Sequence, residues 1–222
     1  MQTLGDMFRR NGRLTPDRPA ILYEGRRISF AALLDRSSRL ASALWNLGVR
    51  RRDRVAILSM NRPEYCEVWG VGELAGFMIA AINFRLAPPE MRWIIGDADP
   101  AVLIFEDQYA ELVGAIRADL PEGLRYVCLG DRCPEWARPY EALLASGDPQ
   151  GAPSIARPED PLSLMYTSGT TGRPKGVIRS NRAEFDLARS NVIELNLAPG
   201  DIYLLMMPWF HIGARAQQTA AH

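Results

Sequence analysis

From Tyr166 to Val177 the chain reads YTSGTTGRPKGV, with three glycines, three threonines, a serine and a proline–lysine pair in twelve residues. Residues of these types, so placed, suit one kind of chemistry. Glycines admit positive φ and let a ligand approach the main chain. Successive backbone N–H groups can then face one concavity that holds an anion. Thr167, Ser168, Thr170 and Thr171 add hydroxyl donors, and Pro174 stiffens the exit so that Lys175 presents a charge. A polyphosphate would meet many donors and at least one cation there. Two familiar phosphate loops do not match. A Walker loop places glycine before its lysine and Ser or Thr after it, whereas Pro174 precedes Lys175 and Gly176 follows it. Gly169 and Gly172 likewise miss the G-x-G-x-x-G spacing of a dinucleotide fingerprint. On composition alone the stretch stays open between a solvated turn, the commoner meaning of such clusters, and a site.

Few other residues offer chemistry. The histidines are His211, inside MPWFHIGA, and the last residue, His222. A single histidine beside Trp209 and Phe210 carries little catalytic information by itself. Cys66, Cys128 and Cys133 are too few for a disulfide scaffold and lack zinc spacing, which favours structural thiols in a reducing compartment. Lys+Arg and Asp+Glu both number 26, for a formal net charge of zero. That balance offers no broad basic field for nucleic acid or an anionic membrane. The longest apolar run, LAGFMIAAI at 74–82, is too short to span a bilayer. The start, MQTLGDMFRR, is not a signal peptide. A cytosolic protein is expected.

The elements that must position the glycine loop alternate along the chain. AILYEG and RRISF predict two short strands around Gly25, and Ser29 is a candidate N-cap for a helix that Gly48 ends. DRVAILSM predicts a buried strand, and Pro63 the first turn of a helix to about Gly76. AAIN, AVLIF and RYVCLG predict further strands, with helices after Pro88 and over 108–119 between them. Continuous apolar runs separated by helices point to an α/β class, with partly parallel sheets covered by helices on both faces. Residues 131–160, with six prolines counted through Pro161, predict a linker or long surface excursion. PLSLMYTSG then enters the loop as a strand and KGVIRS leaves it as another, with Ser180 capping a helix to about Leu195. DIYLLMMPWFHIGA predicts one more apolar strand, ended by Pro208.

The ordered string YTSGTTGRPKG, 166–176, resembles the phosphate-binding signature of the adenylate-forming superfamily, which includes the acyl-CoA synthetases. Three other segments agree in order. ISFAALLDRSSRLASALWNLGVRRRDRVAILSMNRPEY (28–65) is similar to the opening of bacterial acyl-CoA synthetases, and AAINFRLAPPEM (80–91) to a second family segment containing Asn83, Arg85 and Leu86. MPWFHIGA (207–214) resembles the segment that contributes to the acyl pocket. The resemblance implies the N-terminal portion of the adenylate-forming fold over 1–222, and an AMP-forming acid–CoA ligase acting on a fatty or similar carboxylic acid. ATP, with magnesium bound through its phosphates, would give an acyl-adenylate, and coenzyme A would then take the acyl group. Thr167, Ser168, Gly169, Thr170, Thr171, Gly172 and Lys175 would cradle the ATP phosphates. His211 would stand in the acyl and adenylate pocket, and Arg85 would be structural. No metal-ligating side chain is assigned.

The resemblance also implies what residues 1–222 do not contain: the adenine-binding segment, the ribose-binding aspartate, the hinge and the mobile C-terminal domain with its catalytic lysine. The 222-residue chain alone is therefore expected to be truncated and unable to turn over. The alternative is a non-catalytic truncated remnant that serves as a nucleotide- or partner-binding module. Beside ATP, the carboxylic acid and coenzyme A, the expected partners include a second copy or a complementing C-terminal fragment.

Overall fold

The computed structural model describes residues 2–167 and 173–221. Helix α1 (Leu4–Leu14) begins in a capping box, with Thr3 Oγ1 accepting from Asp6 N and the Asp6 carboxylate answering the N-cap N–H. Strands β1 (Pro19–Tyr23) and β2 (Arg26–Ser29) pair as a separate antiparallel hairpin. Ser29 caps α2 (Phe30–Asn46), its Oγ accepting from Ala32 N at 3.2 Å. Gly48 follows the end of α2 at φ +98°, in the region that favours glycine.

Next come β3 (Arg54–Leu58), α3 (Pro63–Ala75), β4 (Met78–Ala81), α4 (Pro88–Ala98) and β5 (Val102–Glu106). They are followed by α5 (Ala110–Ile116), β6 (Arg125–Leu129), β7 (Arg138–Pro139) and α6 (Tyr140–Ala145). The chain continues with β8 (Pro161–Thr167), β9 (Lys175–Ser180), α7 (Asn181–Glu194) and α8 (Ile212–Ala221).

Seven strands form one sheet in the order β7-β6-β5-β3-β4-β8-β9. Every pairing in it is parallel except β8 with β9. The period of two explains the continuous apolar runs. Val55 and Ile57 of β3 face one core with Trp69 of α3 and Leu40 and Leu44 of α2. Ala56 and Leu58 face a second core with Ile94 and Ile95 of α4 and Val113 of α5. Both faces of the central strands β3, β4 and β5 are covered, so a polar side chain at their buried positions would be costly.

Three expectations change. The helix expected over 108–119 is α5 alone, flanked by 3₁₀ turns at Asp107–Tyr109 and Arg117–Asp119. The proline-rich stretch 131–160 is not all linker: it holds β7 and α6, whose Tyr140, Leu143 and Leu144 are buried. Pro139 sits at the N-cap of α6, where a missing N–H costs little, so its presence starts the helix rather than breaking it. The apolar run at 201–207 forms no strand among the described residues. Its alternation survives, with Ile202, Leu204 and Met206 exposed, but no ladder partner turns it into sheet.

Candidate functional site

The β8–β9 hairpin presents the glycine loop. Its register sets Thr167 opposite Lys175 and Tyr166 opposite Gly176, so the two roots of the loop face each other across one rung. Thr167 Oγ1 donates to the Lys175 carbonyl at 3.5 Å. Ser168, Gly169, Thr170, Thr171 and Gly172 lie outside the described residues. A Cβ at Gly176 would stand 2.8 Å from Leu164 Cδ1 and 3.3 Å from the Tyr166 ring, so a larger residue there would make the Leu164 side chain shift.

Tyr166 fastens the root to the neighbouring helix. Its hydroxyl donates to Asp97 Oδ2 at 2.6 Å, and its ring meets Trp93 edge-on at 6.2 Å, both partners being on α4. Burial, and then the Asp97 carboxylate, push the phenol above its ordinary range, so it stays a donor at neutral pH. Nothing in the sequence pointed to Asp97, because its partner lies 69 positions away.

His211 reaches the same place from the other end of the chain. His211 N donates to the Pro208 carbonyl at 3.0 Å, and α8 begins at the next residue. Asn61, in the turn after β3, brackets this segment: its Nδ2 donates to the Met207 carbonyl at 2.9 Å and its Oδ1 accepts from Trp209 N at 3.0 Å. Phe210 is buried edge-on against Phe84 at 5.1 Å, which leaves the neighbouring His211 exposed.

These parts meet in a cleft of about 320 Å³ whose walls include Asn83, Leu86, Tyr166, Thr167, Pro174 and His211. It opens beyond the carboxyl ends of β4 and β8, the usual place for a ligand in an open α/β sheet. Asn83 Oδ1 accepts from Arg85 N at 2.9 Å and shapes the turn, while the Arg85 guanidinium lies exposed over Phe84. Thr167 and His211, far apart in sequence, thus line one cavity, with Lys175 at the other root of the hairpin. Lys175 is also the chain's one lysine beside 25 arginines, a signal that composition by class conceals. Among the described residues no three histidine, cysteine, aspartate or glutamate side chains converge as a metal site. No helix among them is long and apolar enough to cross a membrane.

Known proteins share both sequence and shape with this chain. A fatty acid–[acyl-carrier-protein] ligase of Streptomyces coeruleorubidus is 34% identical over 217 residues, covering 96% of this chain and 40% of the relative. An indoleacetate–CoA ligase of Aromatoleum aromaticum is 36% identical, covering 97% of this chain and 42% of the relative. The inhibitor-bound N-terminal domain of FACL13 from Mycobacterium tuberculosis superposes with a TM-score of 0.88 at 30% identity, over 99% of this chain and 55% of that one. The chain spans about two fifths of the length of these curated relatives. The family model for AMP-binding enzymes matches residues 8–221, and the chain belongs to that family.

Proposed function

We propose that residues 1–222 form the N-terminal part of an adenylate-forming domain, in a protein that acts as an AMP-forming acid–CoA ligase. The observation that carries this reading is the meeting of three distant segments in one cleft: Asn83 and Leu86, Thr167 and Pro174 of the β8–β9 hairpin, and His211. Thr167, Ser168, Gly169, Thr170, Thr171, Gly172 and Lys175 hold the β- and γ-phosphates of ATP. Lys175 offsets charge that builds on departing pyrophosphate as a carboxylate attacks the α-phosphorus, a task for which a fixed cation suffices. His211, at the mouth of the cleft, orients the acid or its adenylate. Coenzyme A thiol then takes the acyl group and AMP leaves.

Magnesium would reach the site through the phosphates, since no protein cage of three ligands exists among the described residues. It would supply charge neutralisation, and the Thr167 hydroxyl suits the phosphate oxygens around it. The acid is fatty or similarly apolar; Leu86, Ile94 and Phe210 in the cleft wall support that class. A cytosolic location fits Cys66, Cys128 and Cys133, all free thiols.

The single lysine makes the test direct. Within residues 1–222 an amine-selective reagent can modify only Lys175 and the N-terminal amine. MgATP should slow modification of Lys175 about tenfold, the protection given by ligand at roughly ten times its Kd, and leave the N-terminal rate unchanged. Equal rates with and without MgATP would overturn the phosphate-cradle assignment.

A further inference from the structure

Behind the cleft lies a buried ion cluster. Arg215, on α8, is fully buried. Its Nε donates to Glu184 Oε2 of α7 at 3.0 Å, its Nη2 to Glu73 Oε1 of α3 at 2.6 Å, and its Nη1 to Gln218 Oε1 at 2.8 Å. The guanidinium also lies 4.3 Å from the Trp69 ring centroid. Glu184 accepts from the Ser163 hydroxyl of β8 as well, and Arg179 of β9 approaches it at 3.8 Å. Burial alone would lower the Arg215 pKa, but Glu73 and Glu184 outweigh it, so the guanidinium stays charged.

One guanidinium therefore joins α3, α7 and α8, and through Glu184 it reaches the hairpin. Ser163 precedes Thr167 by four residues on the same strand, and Arg215 N donates to the His211 carbonyl at 3.3 Å. Buried ion clusters are weak sources of stability, because apolar residues of equal volume often do as well. A planar fork of donors does what apolar packing cannot: it fixes direction as well as distance. We propose that Arg215 is a positioning residue, setting the His211 end of α8 against the Thr167 end of the β8–β9 hairpin. Asn61 holds the stretch before His211 and Arg215 the helix after it, so the backbone that carries the exposed imidazole is held on both sides.

The catalytic meaning of this placement rests on the function proposed above, but its test does not. The chain has two histidines, His211 and the terminal His222, so the ring proton and carbon signals of His211 can be followed by NMR beside an internal reference. Arg215→Lys keeps the charge and loses the fork. Positioning predicts cooperative unfolding like the wild type, a displaced His211 signal, and a several-fold smaller response of that signal to MgATP. Glu73→Gln, which keeps an oxygen acceptor for Nη2, should displace the signal less and in the same direction. An unmoved His211 signal in either folded variant overturns the proposal. So does loss of the fold in both, which would make the cluster a matter of stability. A wild-type His211 indifferent to MgATP, with a signal still displaced in the variants, would sink the ligase reading and support the positioning role.

Discussion

Two stretches of this chain have similar apolar content, and only one becomes sheet. Arg54–Leu58 forms β3, with Val55, Ala56, Ile57 and Leu58 fully buried. Residues 202–207, IYLLMM, are more apolar still, yet Ile202 and Met206 are each 80% exposed. What differs is the neighbourhood. β3 lies between β4 and β5, and Ile57 faces Ala81 on one side and Ile104 on the other. Residues 202–207 have no ladder on either side among the described residues. An apolar run shows that a segment needs cover, and the partner strands decide whether it gets any.

The sharpest way to break the comparison is to cut the same mass from both runs. Ile57→Ala should lower unfolding free energy by about 3 kcal/mol, since the cavity would open in the filled core that β3 shares with α2 and α3. Leu204→Ala, at a side chain 75% exposed, should change it by less than about 0.5 kcal/mol. Urea unfolding monitored by tryptophan fluorescence measures both, and similar losses would mean that residues 202–207 are covered in solution.

A second difference is a clamp. Asp160, just before β8, receives Arg51 Nε and Nη2 at 2.8 and 2.6 Å and Arg52 Nε at 3.0 Å, from the turn just before β3. Arg157 N also donates to it at 2.8 Å. Burial would raise the Asp160 pKa, but the Arg51 fork, the Arg157 N–H and Arg52 together hold it below the ordinary value. A depressed carboxylate contributes stability that is present above its unfolded pKa and lost as pH falls through the folded one. Wild-type stability should therefore decline below about pH 4. Asp160→Asn should cost about 2 kcal/mol at pH 7, where the arginines lose their charged acceptor. The gap to wild type should narrow in acid, and an equal gap at pH 7 and pH 3 would remove the clamp from the account.

The same contrast explains what was legible in the sequence. β3, β5 and β6, the Ser29 and Ser180 caps and the start of α3 at Pro63 all follow from local patterns. An ordered motif names Thr167 and Lys175 as candidates, and the two strands expected on either side of the loop form the hairpin that pairs them. Asn61, Asp97 and Arg215 were not. Each acts on a partner chosen by the fold: Asn61 on Met207 and Trp209, Asp97 on Tyr166, and Arg215 on Glu73 and Glu184. α6 was hidden because Pro139 reads as a breaker when its partners, Glu67 for Tyr140 above all, are not in view.

The smallest expected effect concerns the exposed run itself. Ile202, Leu204 and Met206 project outward at alternate positions, and Val177 and Ile178 of β9 are also exposed, at 45% and 60%. Exposed apolar surface of this kind favours association more than it affects folding. Replacing Ile202, Leu204 and Met206 together with serine should leave the unfolding midpoint within the shift expected for about 0.5 kcal/mol. Sedimentation at high protein concentration should nevertheless show less association than the wild type. The same triple change in a covered strand would unfold the protein, since each position would lose its burial and leave a hydroxyl to satisfy. If the serine variant proves strongly destabilised, residues 202–207 are sheet in solution after all, and the contrast with β3 disappears.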